Sequence, residues 1–185
     1  MRERVRHGRA TLAALLAVCP LVLAGCGSSD DDASASAVWA DGFCSALTTW
    51  KGDLESVGST LKGGDALSKA TIESAASAVS SANGTLGDDI EALGDAPDTG
   101  RTEAKNAVED LRGQLAKSAD EITAATQDVS SPADVLQAVN TTSAALLTMS
   151  SDISATVATL ASIDAADEWK QAFADSEACK SLRNA

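Results

Sequence analysis

Cysteines, carboxylates and one histidine are the residues of this 185-residue chain that could carry chemistry. The histidine, His7, lies within the arginine-rich first nine residues, which a signal peptidase would remove. A mature chain without histidine lacks the usual general base, the Ser–His and Cys–His nucleophile pairs and the commonest ligand of transition metals. We therefore expect no enzymatic activity, no metal site and no cofactor.

Two further patterns resemble catalytic motifs. Ser59-Thr60-Leu61-Lys62 fits the S-x-x-K motif of penicillin-interacting serine enzymes, but the S-D-N and K-T-G motifs that accompany it are absent. Asp88-Asp89-x-Glu91 and Asp164-x-x-Asp167-Glu168 group carboxylates that could perform acid/base work if one of them were buried. Both groups stand among other charged residues, so solvated helix faces are the simpler interpretation.

The N-terminal residues have the layout of a bacterial export signal. Residues 1–9 are basic, and residues 10–25 form an uncharged apolar run that is short for a transmembrane helix. Leu23-Ala24-Gly25-Cys26 then resembles a lipobox, which implies a thioether lipid on Cys26 and cleavage just before it. The alternative is a buried cysteine at the end of an ordinary signal peptide. We predict a lipoprotein signal peptide over residues 1–25 and lipid attachment at Cys26.

The segment after this cysteine is small, polar and acidic, which predicts a flexible tether over residues 26–37 and a folded body over residues 38–185. The formal charge of the whole chain is −13, and without the basic N-terminal segment it becomes −16. Such a body repels nucleic acid. We expect a protein held by lipid on the extracytoplasmic face of the cell membrane, with other envelope proteins as its partners.

Apolar residues from Val38 onward recur at steps of three and four, the period of amphipathic helices. Gly63-Gly64 and the segment GDAPDTG are expected to end the first two helices, and Ser131-Pro132-Ala133-Asp134 to begin the fourth. The fourth stripe is Val135, Val139, Leu146, Met149, Ile153, Val157 and Leu160. We predict an all-α fold: four long antiparallel helices in an up-down-up-down bundle, plus a short C-terminal helix.

Two cysteines remain for the body of the protein once Cys19 is cleaved off and Cys26 is acylated. In an oxidising compartment Cys44 and Cys179 are expected to form a disulfide, since a short fifth segment can return beside the first helix. A redox pair is the alternative, although no C-x-x-C motif is present. All aromatic residues lie in these two terminal segments: Trp39, Phe43, Trp50, Trp169 and Phe173. They predict a packed end, or alternatively a ligand pocket.

The blocks around the two cysteines, VWADGFCSALTTWK from Val38 and AFADSEACKSL from Ala172, resemble the ends of an uncharacterised group of small secreted proteins and lipoproteins of high-GC actinobacteria. The likeness extends over nearly the whole mature chain, and only the two cysteine blocks are specific. The resemblance implies an envelope protein and transfers no catalytic residue.

These observations favour a non-enzymatic structural or protein-binding helical module in the cell envelope. The alternative is a carrier or sensor of a small apolar ligand at the aromatic end of the bundle. A cavity lined by Trp39, Trp50 and Trp169 would favour the carrier, whereas a filled core with exposed acidic faces would favour the module.

Overall fold

A computed structural model describes residues 34–63, 67–97, 100–127 and 129–183. These residues contain helices and no strand, which confirms the all-α prediction. The helices are α1 (Ala35–Lys62), α2 (Lys69–Leu93), α3 (Arg101–Gln127), α4 (Pro132–Ser162), α5 (Asp167–Asp175) and α6 (Glu177–Arg183).

The four long helices form an antiparallel ring in which α1 contacts α2 and α4, and α3 contacts α2 and α4. Hydrogen bonds that cross between helices give their direction. Asn83 on α2 bonds to the Leu115 carbonyl of α3, and the Arg112 side chain bonds to the Gly87 carbonyl. Residue numbers that increase along α2 therefore pair with residue numbers that decrease along α3, so the two helices are antiparallel. The up-down-up-down order is as predicted.

The helices begin and end where short side chains and glycines allow it. Helix α1 starts at Ala35, because the Ser34 hydroxyl accepts the Ala37 N–H, so residues 35–37 of the predicted tether are helical. Helix α2 ends at Gly94, whose φ of 71° is readily adopted only by glycine. Helix α4 starts as predicted: Ser131 caps it and Pro132 is its first residue.

The fourth helix buries a different face from the predicted one in its first half. Val135, Val139 and Leu146 are half-buried, whereas smaller residues of the same helix are fully buried: Ala138, Thr142 and Ala145. Helices α3 and α4 share the most extensive contact in the bundle. Small buried residues let neighbouring helix backbones approach closely, and the larger side chains beside them on α4 stay half-buried.

Helix α4 is also, among the described residues, the one helix long and apolar enough to cross a membrane by length and composition. Met149, Ile153, Val157 and Leu160 of this helix belong to the hydrophobic core of the bundle. We therefore describe α4 as a core helix.

The predicted short C-terminal helix is two short helices, α5 and α6, separated at Ser176. The Ser176 hydroxyl accepts the N–H of Cys179 and donates to the Asp41 carboxylate of α1, at 3.3 and 2.9 Å. This serine therefore caps α6 and ties it to α1. The break lets the chain turn across the end of the bundle and place Cys179 beside α1.

Candidate functional site

Helices α1 and α6 are joined by a disulfide between Cys44 and Cys179, as predicted. The two Cα atoms lie 5.0 Å apart and both residues are fully buried. The sequence separation is 135 residues, so the bridge links the beginning of the bundle to its end. Its burial and its helical setting are those of a structural bridge.

Four aromatic rings pack beside this disulfide, and we call this part of the molecule the aromatic end. Trp39 stacks on Phe43 with centroids 5.1 Å apart, and on Trp169 at 5.5 Å. Phe173 lies against Trp169 with centroids 5.2 Å apart, in a tilted geometry. Phe43, Trp169 and Phe173 are fully buried, and Trp39 is nearly so. The rings pack directly against one another, so the aromatic end is a packed part of the core.

The polar atoms of these indoles are paired with backbone carbonyls. The Trp169 N–H donates to the Leu160 carbonyl at 2.8 Å, at the end of α4. The Trp39 N–H donates to the Gly94 carbonyl at 3.2 Å, at the end of α2. Each tryptophan therefore supplies buried surface and also a hydrogen bond for a helix C-terminus, where carbonyls lack partners within the helix.

Trp50 lies apart from the four packed rings, in the middle of the bundle. Its N–H donates to the Asn83 side chain at 2.8 Å, and the Asn83 amide donates to the Leu115 carbonyl at 3.3 Å. The sequence did not indicate this link, because Asn83 stands in a run of small polar residues. The only indication of this link in the sequence was the single amide of Asn83, on the side of α2 that faces Trp50.

The three tryptophans named for a carrier do not share a cavity in the described part of the chain. Trp39 borders a groove of about 260 Å³ and Trp50 borders a different groove of about 560 Å³. A third groove of about 690 Å³ lies beside the aromatic end, between α1 and α5. It is lined by Val38, Leu93 and Ala172 together with the carboxylates Asp41, Glu168 and Asp175, and it contains no tryptophan.

The carboxylates that sequence reasoning grouped are exposed on helix surfaces and at helix ends: Asp88, Asp89, Glu91, Asp164, Asp167 and Glu168. In the described ranges, no three histidine, cysteine or acidic side chains lie close enough to hold a metal ion. Burial raises the pKa of Asp152 on α4. The other acidic residue of this helix, Asp134, is 18 positions earlier, so α4 itself supplies no second carboxylate with which Asp152 could share a proton.

The S-x-x-K pattern lies at the exposed C-terminal end of α1. The Ser59 hydroxyl donates to the Glu55 carbonyl at 2.8 Å, one turn earlier in the same helix, and Lys62 is exposed. The arrangement has the hydrogen bonding of an ordinary helical serine. The sequence and the structure therefore both favour a chance match to the S-x-x-K motif.

Cys26, Cys19 and the tether up to residue 33 lie outside the described residues. Of the predicted site residues, the structure brings Cys44 and Cys179 together and places the aromatic rings around them. Comparisons of the chain with protein-family models, with curated proteins and with solved structures found no match.

Proposed function

We propose that this protein is a lipid-anchored, extracytoplasmic component of the cell envelope, whose bundle is a non-enzymatic structural or protein-binding module. The observation that carries the proposal is the combination of the lipobox-like Leu23-Ala24-Gly25-Cys26 with the buried Cys44–Cys179 bridge. The first resembles an export and acylation signal, and the second is a bond that persists in oxidising compartments outside the cytoplasm.

The composition of the aromatic end supports a module more than a carrier. A carrier needs a cavity that admits its ligand, and the rings of Trp39, Phe43, Trp169 and Phe173 pack on one another instead. Binding between them would require the rings to separate, at the cost of buried contacts and of the hydrogen bonds of both indoles.

The placement of charge supports interaction through surfaces instead of catalysis in a pocket. Acidic side chains are exposed along α1, α2, α3 and α5, and the mature body carries a charge of −16. Such a body remains soluble beside the membrane and is kept apart from anionic lipid headgroups and nucleic acid. Its partners should present cationic or uncharged surfaces.

Radiolabelled fatty acid supplied to cells that express the full chain tests the anchor. The wild-type protein should incorporate label and fractionate with membranes. The Cys26→Ser variant should lose the label, whereas Cys19→Ser, a matched cysteine replacement in the same N-terminal segment, should keep it. Equal labelling of the Cys26→Ser variant, or no labelling of the wild type, would overturn the proposal.

A further inference from the structure

Helix α4 carries an outward-facing stripe of uncharged residues on an otherwise acidic molecule. We call Leu136, Asn140, Ser143 and Leu147 the α4 stripe. All four are exposed, and the two leucines keep 59% and 74% of their surface accessible, among the largest exposures of apolar side chains in the described residues. A helix buried on one side and polar on the other would place charged residues at these positions. Within the described part of the chain, no other element covers this face.

The charge pattern limits what this face can meet. No acidic or basic residue occurs between Asp134 and Asp152, whereas the exposed face of α3 carries carboxylates along its length. The whole chain carries a charge of −13, so two copies repel each other wherever carboxylates meet. The outer face of α4 lets two copies touch without bringing acid against acid. Residues 74–87 of α2 are uncharged as well, but Val79 and Leu86 of that segment are buried, whereas α4 exposes two leucines.

The spacing of the stripe is self-complementary. Its members follow one another at steps of four, three and four residues, which reads the same in both directions along the helix. A two-fold axis midway between Asn140 and Ser143 therefore places Leu136 of one copy opposite Leu147 of the other. The same axis sets Asn140 against Ser143, where an amide and a hydroxyl can hydrogen-bond. Such reciprocal pairing is the requirement of an isologous dimer.

A groove beside Leu147 completes the surface. The contact between α1 and α4 is the least extensive in the ring of long helices, and a groove of about 560 Å³ runs between them. Gly58 leaves it open: a β-carbon there would have only the Leu146 side chain, 4.0 Å away, as a neighbour. Leu136 and Leu147 are about 16 Å apart along the helix. Antiparallel pairing therefore brings each exposed Leu136 to the groove of the other copy.

We infer that α4 is the dimerisation surface of this protein, and that its occupant is α4 of a second copy, packed antiparallel about the midpoint of the α4 stripe. This inference concerns the folded bundle and does not rest on the lipid anchor. The pairing buries the two exposed leucines of each copy. It also gives Asn140 and Ser143, at the centre of the stripe, hydrogen-bond partners in the other copy.

Disulfide crosslinking of purified full-length chains tests both the surface and its direction. Two preparations carry Leu136→Cys and Leu147→Cys, and mild oxidation follows mixing. Crosslinked dimer should form in the mixture and not in either preparation alone. The unsubstituted chain sets the background from its own cysteines, and Gln114→Cys, on the exposed face of α3, is the matched control. Links within each separate preparation, which indicate parallel pairing, would overturn the inference, as would a mixture no more crosslinked than the controls.

A charge substitution provides a second test that does not depend on added thiols. Leu147→Glu should weaken self-association of the full chain by at least about tenfold in sedimentation velocity, because symmetry places two carboxylates in the interface. Gln114→Glu adds the same charge to α3 and should leave the association unchanged. Circular dichroism checks that both variants remain helical. A wild-type chain that sediments as a monomer at every concentration, or equal weakening by both variants, would contradict the dimer.

Discussion

The two ends of the bundle are built differently. At the aromatic end, a disulfide, four packed rings and two indole hydrogen bonds join α1, α2, α4, α5 and α6. At the opposite end, which we call the far end, a separate small cluster of Ile72, Val129 and Ala138 is covered by half-buried alanine and valine residues. The far end is closed by helix caps at Ser68 and Ser131.

This difference indicates where the stability of the fold is concentrated. Large buried side chains and a long-range covalent bond stabilise a fold by several kcal/mol each, whereas a helix cap contributes about 1 kcal/mol. Helix α1 also begins at the aromatic end.

The largest expected effect comes from removing the bridge. Replacing both Cys44 and Cys179 by alanine should lower the free energy of unfolding by about 3 to 5 kcal/mol, because the bridge closes a loop of nearly the whole body. Chemical denaturation of the oxidised, reduced and doubly substituted proteins measures this loss. Identical midpoints for the oxidised and reduced proteins would show that the bridge does not stabilise the aromatic end.

Truncating one ring of the aromatic end should be nearly as costly. Phe173→Ala is expected to lower the free energy of unfolding by about 3 to 5 kcal/mol, since the side chain is fully buried among two other rings. Ile72→Val removes one methyl from the far end and should cost about 1 kcal/mol. Equal losses for the two substitutions would remove the contrast between the ends.

Thr142 gives a prediction of opposite sign. Its hydroxyl is fully buried and, among the described residues, has no hydrogen-bond partner. Thr142→Val keeps the shape of the side chain and removes the unsatisfied polar atom, so it should raise the free energy of unfolding by about 1 kcal/mol. Thr148→Val, at an exposed position of the same helix, is the control. A destabilised Thr142→Val protein would show that this hydroxyl is satisfied in solution.

Helix caps should matter most at the far end. Ser131→Ala removes the side-chain acceptor for the Asp134 N–H and should cost about 1 kcal/mol. Ser151→Ala, on the exposed side of the same helix, should change stability little. Thermal unfolding followed by circular dichroism compares the two. A loss no larger than that of the control would mean that α4 begins stably without its cap.

The pH dependence of this cap is the smallest effect. Hydrogen bonding with the Ser131 side chain first, and then with Ser130 and the Ser131 backbone, lowers the pKa of Asp134 from 3.8 to about 2. A lowered pKa contributes stability that is complete above pH 3.8 and is lost as the pH falls through 2. Comparing the acid unfolding of the wild-type protein and the Asp134→Asn variant measures this contribution to stability. Superimposable pH profiles between 4 and 2 would exclude it.

Much of this fold could be read from the sequence, because local signals and the global fold agree. The stripe of α1, the stop at Gly63 and the start at Ser131 all follow from helix periodicity and capping. The Cys44–Cys179 pairing followed from an even number of antiparallel helices. Such signals are short-range or topological, so one sequence contains them.

The parts that could not be predicted depend on how neighbouring helices rotate. Hydrophobicity ranked Val135 and Val139 above Ala138 and Thr142, but the packed bundle buries the smaller residues. The link from Trp50 through Asn83 to Leu115 requires three helices in register. The break at Ser176 depends on its bond to Asp41, which is 135 residues distant. None of these is a local property of the chain.

Intact-mass and peptide mass spectrometry of the protein recovered from envelope membranes tests the central claim most directly. We predict a chain that begins at Cys26 with a thioether lipid, and a non-reduced digest that contains one linked peptide pair, Cys44 with Cys179. An unmodified Cys26 still joined to Gly25, or free thiols at both Cys44 and Cys179, would contradict it.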